Sequence, residues 1–196
     1  MKFKDEALQQ VVNSLPGFKN GSDEFLALDQ LNYLTFFLIN AMNSFTLAKK
    51  YNDMPDISKE EQVNLASSLF RDGVMNYAKC FSSAEAKKLK IDFKAVVKDL
   101  QSADRSKYLI IHEEMINIRH KYVAHNLDND FEFSVVATKI ENNTLYLKPT
   151  FTVQIPIESF DKYFKQCGLI QNYIISKIHK TLTKIRSNTG ITVEFG

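Results

Sequence analysis

The sequence predicts a mainly α-helical protein of about five helices with one inserted β-hairpin. Apolar residues recur every three or four positions along most of the chain, which is the spacing of helices that bury one side. Between residues 131 and 155 the spacing changes to two, which is typical of strands. With 196 residues, of which 44% are hydrophobic, the chain is long enough for one core. We therefore expect a single domain over residues 1–196.

The first two predicted helices have recognisable starts. Ser22 and Asp23 form a candidate cap before the first, in which apolar residues recur over 28–48 and others flank them on both sides, so we expect it to be buried on most faces. The second opens with a capping box that pairs Ser58 with Glu61. Gly73 lies in its middle, where glycine costs about 1 kcal/mol, so we expect a close helix crossing there.

A third helix is predicted to begin near residues 82–85, to end near Leu100 and to be broken near Asp92. The fourth is predicted from a cap at Asp104. Its first apolar seam consists of Tyr108, Ile111, Met115, Ile118, Tyr122 and His125. A neighbouring seam consists of Leu109, His112, Ile116, Arg119 and Val123. The opposite, water-facing side consists of Glu113, Glu114, Asn117, His120 and Lys121. Arg119, His112 and His125 are therefore expected to face inward or toward a partner.

The predicted hairpin occupies residues 131–155 and turns at residues 141–143, Glu-Asn-Asn. Pro156 is a favoured first-turn residue for the last helix. The apolar side of that helix is predicted to consist of Ile157, Phe160, Phe164, Cys167, Ile174, Ile178, Leu182 and Ile185. Residues 191–195 are compatible with a short terminal strand.

Composition and motifs exclude several classes of protein. A net charge of +2, spread along the chain, permits contact with nucleic acid without requiring it. The two cysteines, Cys80 and Cys167, lie far apart in helical patterns and are expected to be buried core residues. The start resembles no signal peptide, and no apolar run reaches the roughly 20 residues of a bilayer span. We expect a cytoplasmic protein that does not bind a membrane.

Motifs for common cofactors are also missing. The sequence has no phosphate-binding loop, dinucleotide fingerprint, nucleophile elbow or CxxC pair. The run at His112, HEEMI, has Ile116 where a zinc protease needs its second histidine. Asp128 and Asp130, near His120 and His125, offer a further metal set, but the loop lacks the glycine of a calcium site. We expect neither a metal nor another cofactor.

One constellation remains, the segment IRHKYVAH at residues 118–125. Arg119 is followed six residues later by His125, with the polar His120 directly after the arginine, at the end of a predicted core helix. This resembles the Rx4-6H motif of the HEPN superfamily. The resemblance implies an up-and-down helical bundle, a homodimer, and in many members a metal-independent endoribonuclease that uses the arginine and the histidine. It covers the helical frame from about residue 25 to 186, and the hairpin departs from the minimal bundle.

The same residue types suit RNA cleavage on chemical grounds. Cleavage without a metal needs a group that takes the 2′-hydroxyl proton, a group that protonates the leaving oxygen, and a positive charge for the transition state. Histidine, with a pKa near 6.5, serves as acid or base, and the guanidinium fork matches two phosphate oxygens. We therefore predict Arg119 and His125 as catalytic residues, with His120, His112 and Tyr122 in supporting roles. One helix supplies one pair, and a symmetric dimer would assemble two.

Structural roles for the same residues stay open. Arg119 is also suited to pairing with a buried carboxylate, and His125 to capping the helix C-terminus. The alternative for His112 is a hydrogen-bonded histidine in the core. For Tyr122 it is a core tyrosine, and for His120 it is a solvated side chain. At the level of function, the first prediction is an endoribonuclease in a toxin or phage-defence context, with an antitoxin as a possible partner. The alternative is a non-catalytic module that binds a nucleotide, RNA or another protein.

Overall fold

A computed structural model describes residue 10 and residues 26–82, 89–124, 131–141 and 144–189. The described chain is mainly helical and carries one antiparallel two-stranded sheet, as the sequence predicts. Its elements, in order, are α1 (Leu26–Asn52), α2 (Lys59–Lys79), α3 (Phe93–Val97), α4 (Ser102–Ile118), a π-helical turn (Arg119–Ala124), β1 (Glu132–Glu141), β2 (Thr144–Val153), a 3-10 turn (Ile157–Ser159) and α5 (Phe160–Thr189). Among the described residues no helix is both long and apolar enough to cross a bilayer.

The core lies where α1 packs on α2 and on α5. Phe45 of α1 is fully buried, and its ring contacts those of Phe70, Phe160 and Tyr163 at centroid distances of 5.6–6.4 Å. Gly73 of α2 faces this ring so closely that a Cβ placed there would lie 2.6 Å from the Cε1 atom of Phe45. The predicted close crossing at Gly73 is therefore confirmed.

The structure confirms one predicted helix start and corrects others. Ser58 caps α2 in a complete capping box, as predicted. The predicted third helix is corrected: residues 89–92 are not helical, and Asp92 caps a short α3 at Phe93 through the backbone N–H of Lys94, while residues 83–88 lie outside the described residues. The predicted cap at Asp104 is wrong, because α4 begins at Ser102 and its N-cap residue makes no side-chain hydrogen bond. The predicted cap at residues 22–23 and the strand at 191–195 lie outside the described residues.

The buried side of α5 differs from the predicted one at four positions. Phe160, Cys167 and Ile174 are buried as expected, whereas Phe164 is 41% exposed. Further residues on the buried side are Tyr163, Gln166 and Ile170. The prediction placed Phe164 inside because it favours apolar residues, and it missed Tyr163 and Gln166 because both carry polar atoms. Cys80 and Cys167 are buried free thiols, as expected, and burial raises the pKa of Cys80 to about 12.

The hairpin projects from the bundle. β1 pairs with β2 in the register Val136 opposite Pro149 and Ile140 opposite Leu145, so these residues share one face. That face is apolar and open to solvent, with Ile140 76% and Leu147 61% exposed. At its base, Phe131 accepts a backbone hydrogen bond from Gln154, and the Phe131 ring lies 5.9 Å from that of Phe70. The predicted hairpin is confirmed, and Phe131 at its base packs on the core.

Helix α1 is less buried than predicted. Its core side carries Leu34, Leu38 and Phe45, which are almost fully buried. Its opposite side is open to solvent and consists of Asn32, Tyr33, Phe36, Ile39, Asn43, Thr46 and Leu47. We call these seven residues the outer face of α1. The expectation that α1 is buried on most faces is therefore wrong for a single chain.

Candidate functional site

The predicted motif lies where α4 changes its helical form. The α-helix ends at Ile118, and Arg119–Ala124 continue it as a π-helical turn that packs against α2. In a π-helix each hydrogen bond spans five residues instead of four, so the turn is wider, and such turns occur frequently at functional sites. The motif's arginine is the first residue of this turn. The motif's histidine, His125, follows the last residue of the turn and lies outside the described residues.

Arg119 and His120 contact each other at the start of the turn. Nη1 of Arg119 lies 3.2 Å from Nδ1 of His120. A guanidinium only donates, so Nδ1 of His120 accepts in this contact. Arg119 is half-buried and His120 is exposed, as predicted. Together they present a guanidinium fork and a ring N–H group side by side, and both are suited to phosphate oxygens.

Two cationic side chains lie in the turn. Arg119 and the exposed Lys121 carry positive charges on either side of His120 in the sequence. These charges lie at the C-terminal end of α4, where cations interact favourably with the helix dipole. The backbone of Tyr122 belongs to the same turn, but its side chain is not among those described. The roles of Arg119, His120, Tyr122 and His125 stay predictions.

His112 belongs to a hydrogen-bonded core network. Its Nδ1 lies 2.8 Å from the hydroxyl oxygen of Tyr77. The side-chain amide of Gln166 donates to that hydroxyl at 3.1 Å and to the carbonyl oxygen of Tyr108 at 3.2 Å. The hydroxyl accepts from Gln166 and shares a second hydrogen bond with Nδ1 of His112, whose donor is set by the histidine tautomer. Burial lowers the pKa of His112 to about 4 and raises that of Tyr77, so both groups are neutral at pH 7.

Aromatic rings hold the His112 imidazole in place. The ring of Phe93 is stacked on it at 4.1 Å with an interplanar angle of 8°, and the ring of Phe81 meets it edge-on at 4.5 Å. This packing joins α2, α3 and α4. The geometry favours the core-histidine alternative for His112 over the supporting role in a site.

This burial gives His112 a pH-dependent effect on stability. The folded-state pKa near 4 lies below the ordinary 6.5, so the unfolded chain binds more protons between these values. We expect the free energy of unfolding to fall as the pH drops from about 6.5 toward 4. Urea denaturation at several pH values should show this loss of stability in the wild type. In His112→Asn, the part of the loss that comes from protonation of His112 should be absent. His179→Asn, at an exposed position of α5, should keep it. If the free energy of unfolding depends on pH in the same way in the wild type and in His112→Asn, the burial of His112 is contradicted.

Glu114 is a correction to the predicted water-facing side of α4. Its carboxylate accepts a hydrogen bond from the buried hydroxyl of Tyr163 at 2.6 Å and pairs with Lys162 at 2.8 Å. Burial, followed by the contact with Glu114, raises the pKa of Tyr163 well above its usual value. Glu114 therefore ties α4 to α5. Glu113, Asn117, His120 and Lys121 of the same side are exposed as predicted.

No family model, characterised protein or solved structure matches this chain. Within the described ranges, no three His, Cys, Asp or Glu side chains come together as a metal site. Of the four residues considered as metal ligands, His120 is described, whereas His125, Asp128 and Asp130 are not. The geometry of the described residues is therefore the basis for assigning a function.

Sequence reasoning missed the hydrogen bonds that Tyr77, Gln166 and Tyr163 make to α4. Gln166 is fully buried in the apolar side of α5, and a polar residue at such a position is the available signal. Its partner could not be identified, because Tyr77 lies 89 residues away in the sequence. These three residues fix the position of α4 and thereby of the turn that follows it.

Proposed function

We propose that the protein is a HEPN-like, metal-independent endoribonuclease. The observation that carries this proposal is that the predicted motif begins with the first residue of a π-helical turn. At that turn, the half-buried Arg119 lies beside the exposed His120. A basic, partly exposed turn on a helix held firmly by its other sides is suited to binding a phosphate and directing chemistry at it.

The proposed reaction is an internal transfer within RNA. The 2′-oxygen attacks the adjacent phosphorus, the new P–O2′ bond forms, and the bond from phosphorus to the 5′-oxygen breaks. A base takes the 2′-hydroxyl proton and an acid delivers a proton to the 5′-oxygen, leaving a 2′,3′-cyclic phosphate and a 5′-hydroxyl. We assign the acid/base role to His125 and the stabilisation of the charged transition state to Arg119. His120 supports Arg119 by accepting its N–H.

A homodimer remains part of the proposal, because the resemblance implies it. In the sequence, the apolar character of two adjacent seams of α4 predicts an interface between two copies near Arg119. Leu109 and Ile116 of the second seam pack on the chain's own core, and His112 packs on Phe93. Among the large apolar residues of α4, all of which are described, Ile110 alone is exposed. The apolar seams of α4 therefore no longer argue for an interface there.

The toxin or phage-defence context, with an antitoxin as partner, is carried over from the resemblance as a proposal. The alternative function, a non-catalytic interaction module, has one observation in its favour. The apolar hairpin face around Ile140 and Leu147 is open to solvent, and exposed apolar surfaces of this kind are typical of protein-binding sites. An inhibitory partner of a nuclease would use such a surface equally well.

The proposed chemistry predicts activity without divalent metal. We expect the purified protein to cleave single-stranded RNA in excess EDTA and to leave 2′,3′-cyclic phosphate ends, since the proposed acid, base and charge are all side chains. Gel analysis of a labelled RNA, with and without EDTA, measures this. Cleavage that appears only after addition of a divalent metal, or products with 5′-phosphate ends, would contradict the mechanism. No cleavage of any RNA would favour the interaction module.

A further inference from the structure

The outer face of α1 is an unusual surface for a helix that is exposed to water. Between Gln30 and Ala48 the helix contains no charged residue and no histidine. Four large apolar side chains on this face are exposed by 39–55%: Tyr33, Phe36, Ile39 and Leu47. The exposed sides of helices normally carry charged residues. An uncharged strip about 28 Å long is therefore typical of a surface that another molecule covers.

The polar residues of the outer face indicate what covers it. They are Asn32, Asn43 and Thr46, whose side chains each contain both a donor and an acceptor. In a two-fold interface, residues near the axis meet their own copies, so a charge there would face a like charge. Amide, hydroxyl and apolar groups are compatible with their own copies. The composition therefore suits a second copy of this chain better than a charged partner.

Charges at the two ends of the strip are complementary in one arrangement. Asp29 lies in the first turn of α1, and Lys50 lies in its last turn. Both are exposed and fall on the same side of the helix as the outer face. If two α1 helices pack antiparallel about an axis near Ile39, Asp29 of each copy lies at the level of Lys50 in the other. A parallel arrangement would place like charges together.

We propose that the outer face of α1 forms a two-fold, antiparallel interface between two copies of this chain. Ile39 packs on its own copy near the axis, Phe36 lies opposite Asn43, and Asp29 lies near Lys50 at each end. This inference rests on the exposure and charge of α1 and is independent of the proposed RNA cleavage. The strip, about 28 Å by 10 Å, is small for a protein interface, so we expect dissociation in the micromolar range.

Sedimentation analysis of the full chain between about 1 and 100 µM tests the interface. We expect a monomer–dimer equilibrium in the wild type. Ile39→Lys brings two ammonium groups together at the axis, so it should raise the dissociation constant at least about tenfold. Ile110→Lys is the matched control, because Ile110 is exposed on α4, and it should leave the equilibrium unchanged. Unchanged melting temperatures would show that both variants fold.

Two further variants locate the contact and its direction. Ile39→Cys should form a disulfide-linked dimer with oxidised glutathione, whereas Ile110→Cys should not, and the native Cys80 and Cys167 are buried. Asp29→Lys and Lys50→Asp should each weaken the dimer about two- to fivefold, and the double exchange should restore it. A strict monomer at 100 µM, or a dimer that Ile39→Lys leaves intact, would overturn the proposal.

Discussion

Replacing Arg119 or His125 by alanine is expected to lower RNA cleavage by about a hundredfold or more. This is the usual effect of removing a transition-state charge or a general acid/base. The melting temperature should change little, because Arg119 is half-buried and its partner His120 is exposed. Initial rates in EDTA and thermal melts on the same preparations measure both quantities. Arg119→Lys keeps the charge but loses the planar fork, so it should recover part of the activity.

His120→Ala is the control for this pair of variants. It removes the acceptor of the Arg119 hydrogen bond at an exposed position, so it should preserve the fold and lose only part of the activity. A structural role for the motif predicts a different result. Loss of one member of a buried charged pair costs about 3 to 5 kcal/mol, so Arg119→Ala or His125→Ala would then melt early. Normal melting in all variants, with no cleavage by the wild type, would favour the interaction module.

Gly73→Ala is expected to destabilise the protein, although alanine is the better helix former. The helix propensity of alanine contributes about 1 kcal/mol of stability. The added methyl group would lie 2.6 Å from the Phe45 ring, and Phe70, Phe160 and Tyr163 surround that ring. Because these packed rings oppose a shift of the Phe45 ring, overpacking should exceed the gain, with a net loss of about 1 to 3 kcal/mol. The melting temperature should fall by roughly 3 to 10 °C.

Gly168→Ala is the matched control for Gly73→Ala. Gly168 also lies inside a helix, but a Cβ at that position meets no atom within 4 Å. The propensity gain should therefore appear alone, as stabilisation of up to about 1 kcal/mol. Denaturant unfolding of both variants measures the contrast. Equal stabilisation by the two substitutions would show that the α1–α2 crossing is looser than the structure has it.

The sequence predicts features of the fold that depend on neighbouring residues. The capping box at Ser58 involves residues within one helical turn of each other, and it is confirmed. The hairpin is recognisable from its two-residue spacing. The cap at Asp104 fails because several polar residues precede α4 and local chemistry does not distinguish among them. The sequence did not predict that the outer face of α1 is exposed, because apolar side chains occur both in protein cores and at interfaces.

The candidate site is less accessible to sequence reasoning. Helical periodicity placed Arg119 and His120 on different sides, which agrees with their burial. It also assumed a regular α-helix as far as His125, whereas the chain widens into a π-helical turn at Arg119. Beyond that residue the angular positions of an α-helix no longer apply. Glu114 was misplaced because its partners, Lys162 and Tyr163, lie 48 and 49 residues away.

The projecting hairpin divides the molecule into parts of unequal local stability. The described side chains of residues 134–141 and 144–149 are exposed on both faces of the sheet, so little burial opposes separation of the strands. An isolated two-stranded sheet is marginally stable in water. The hairpin ladder should therefore open without unfolding of the bundle, and its amide protons should exchange far faster than those of α2 and α5. Changes in the length or sequence of the hairpin between residues 134 and 149 should consequently leave the stability of the helical core unchanged.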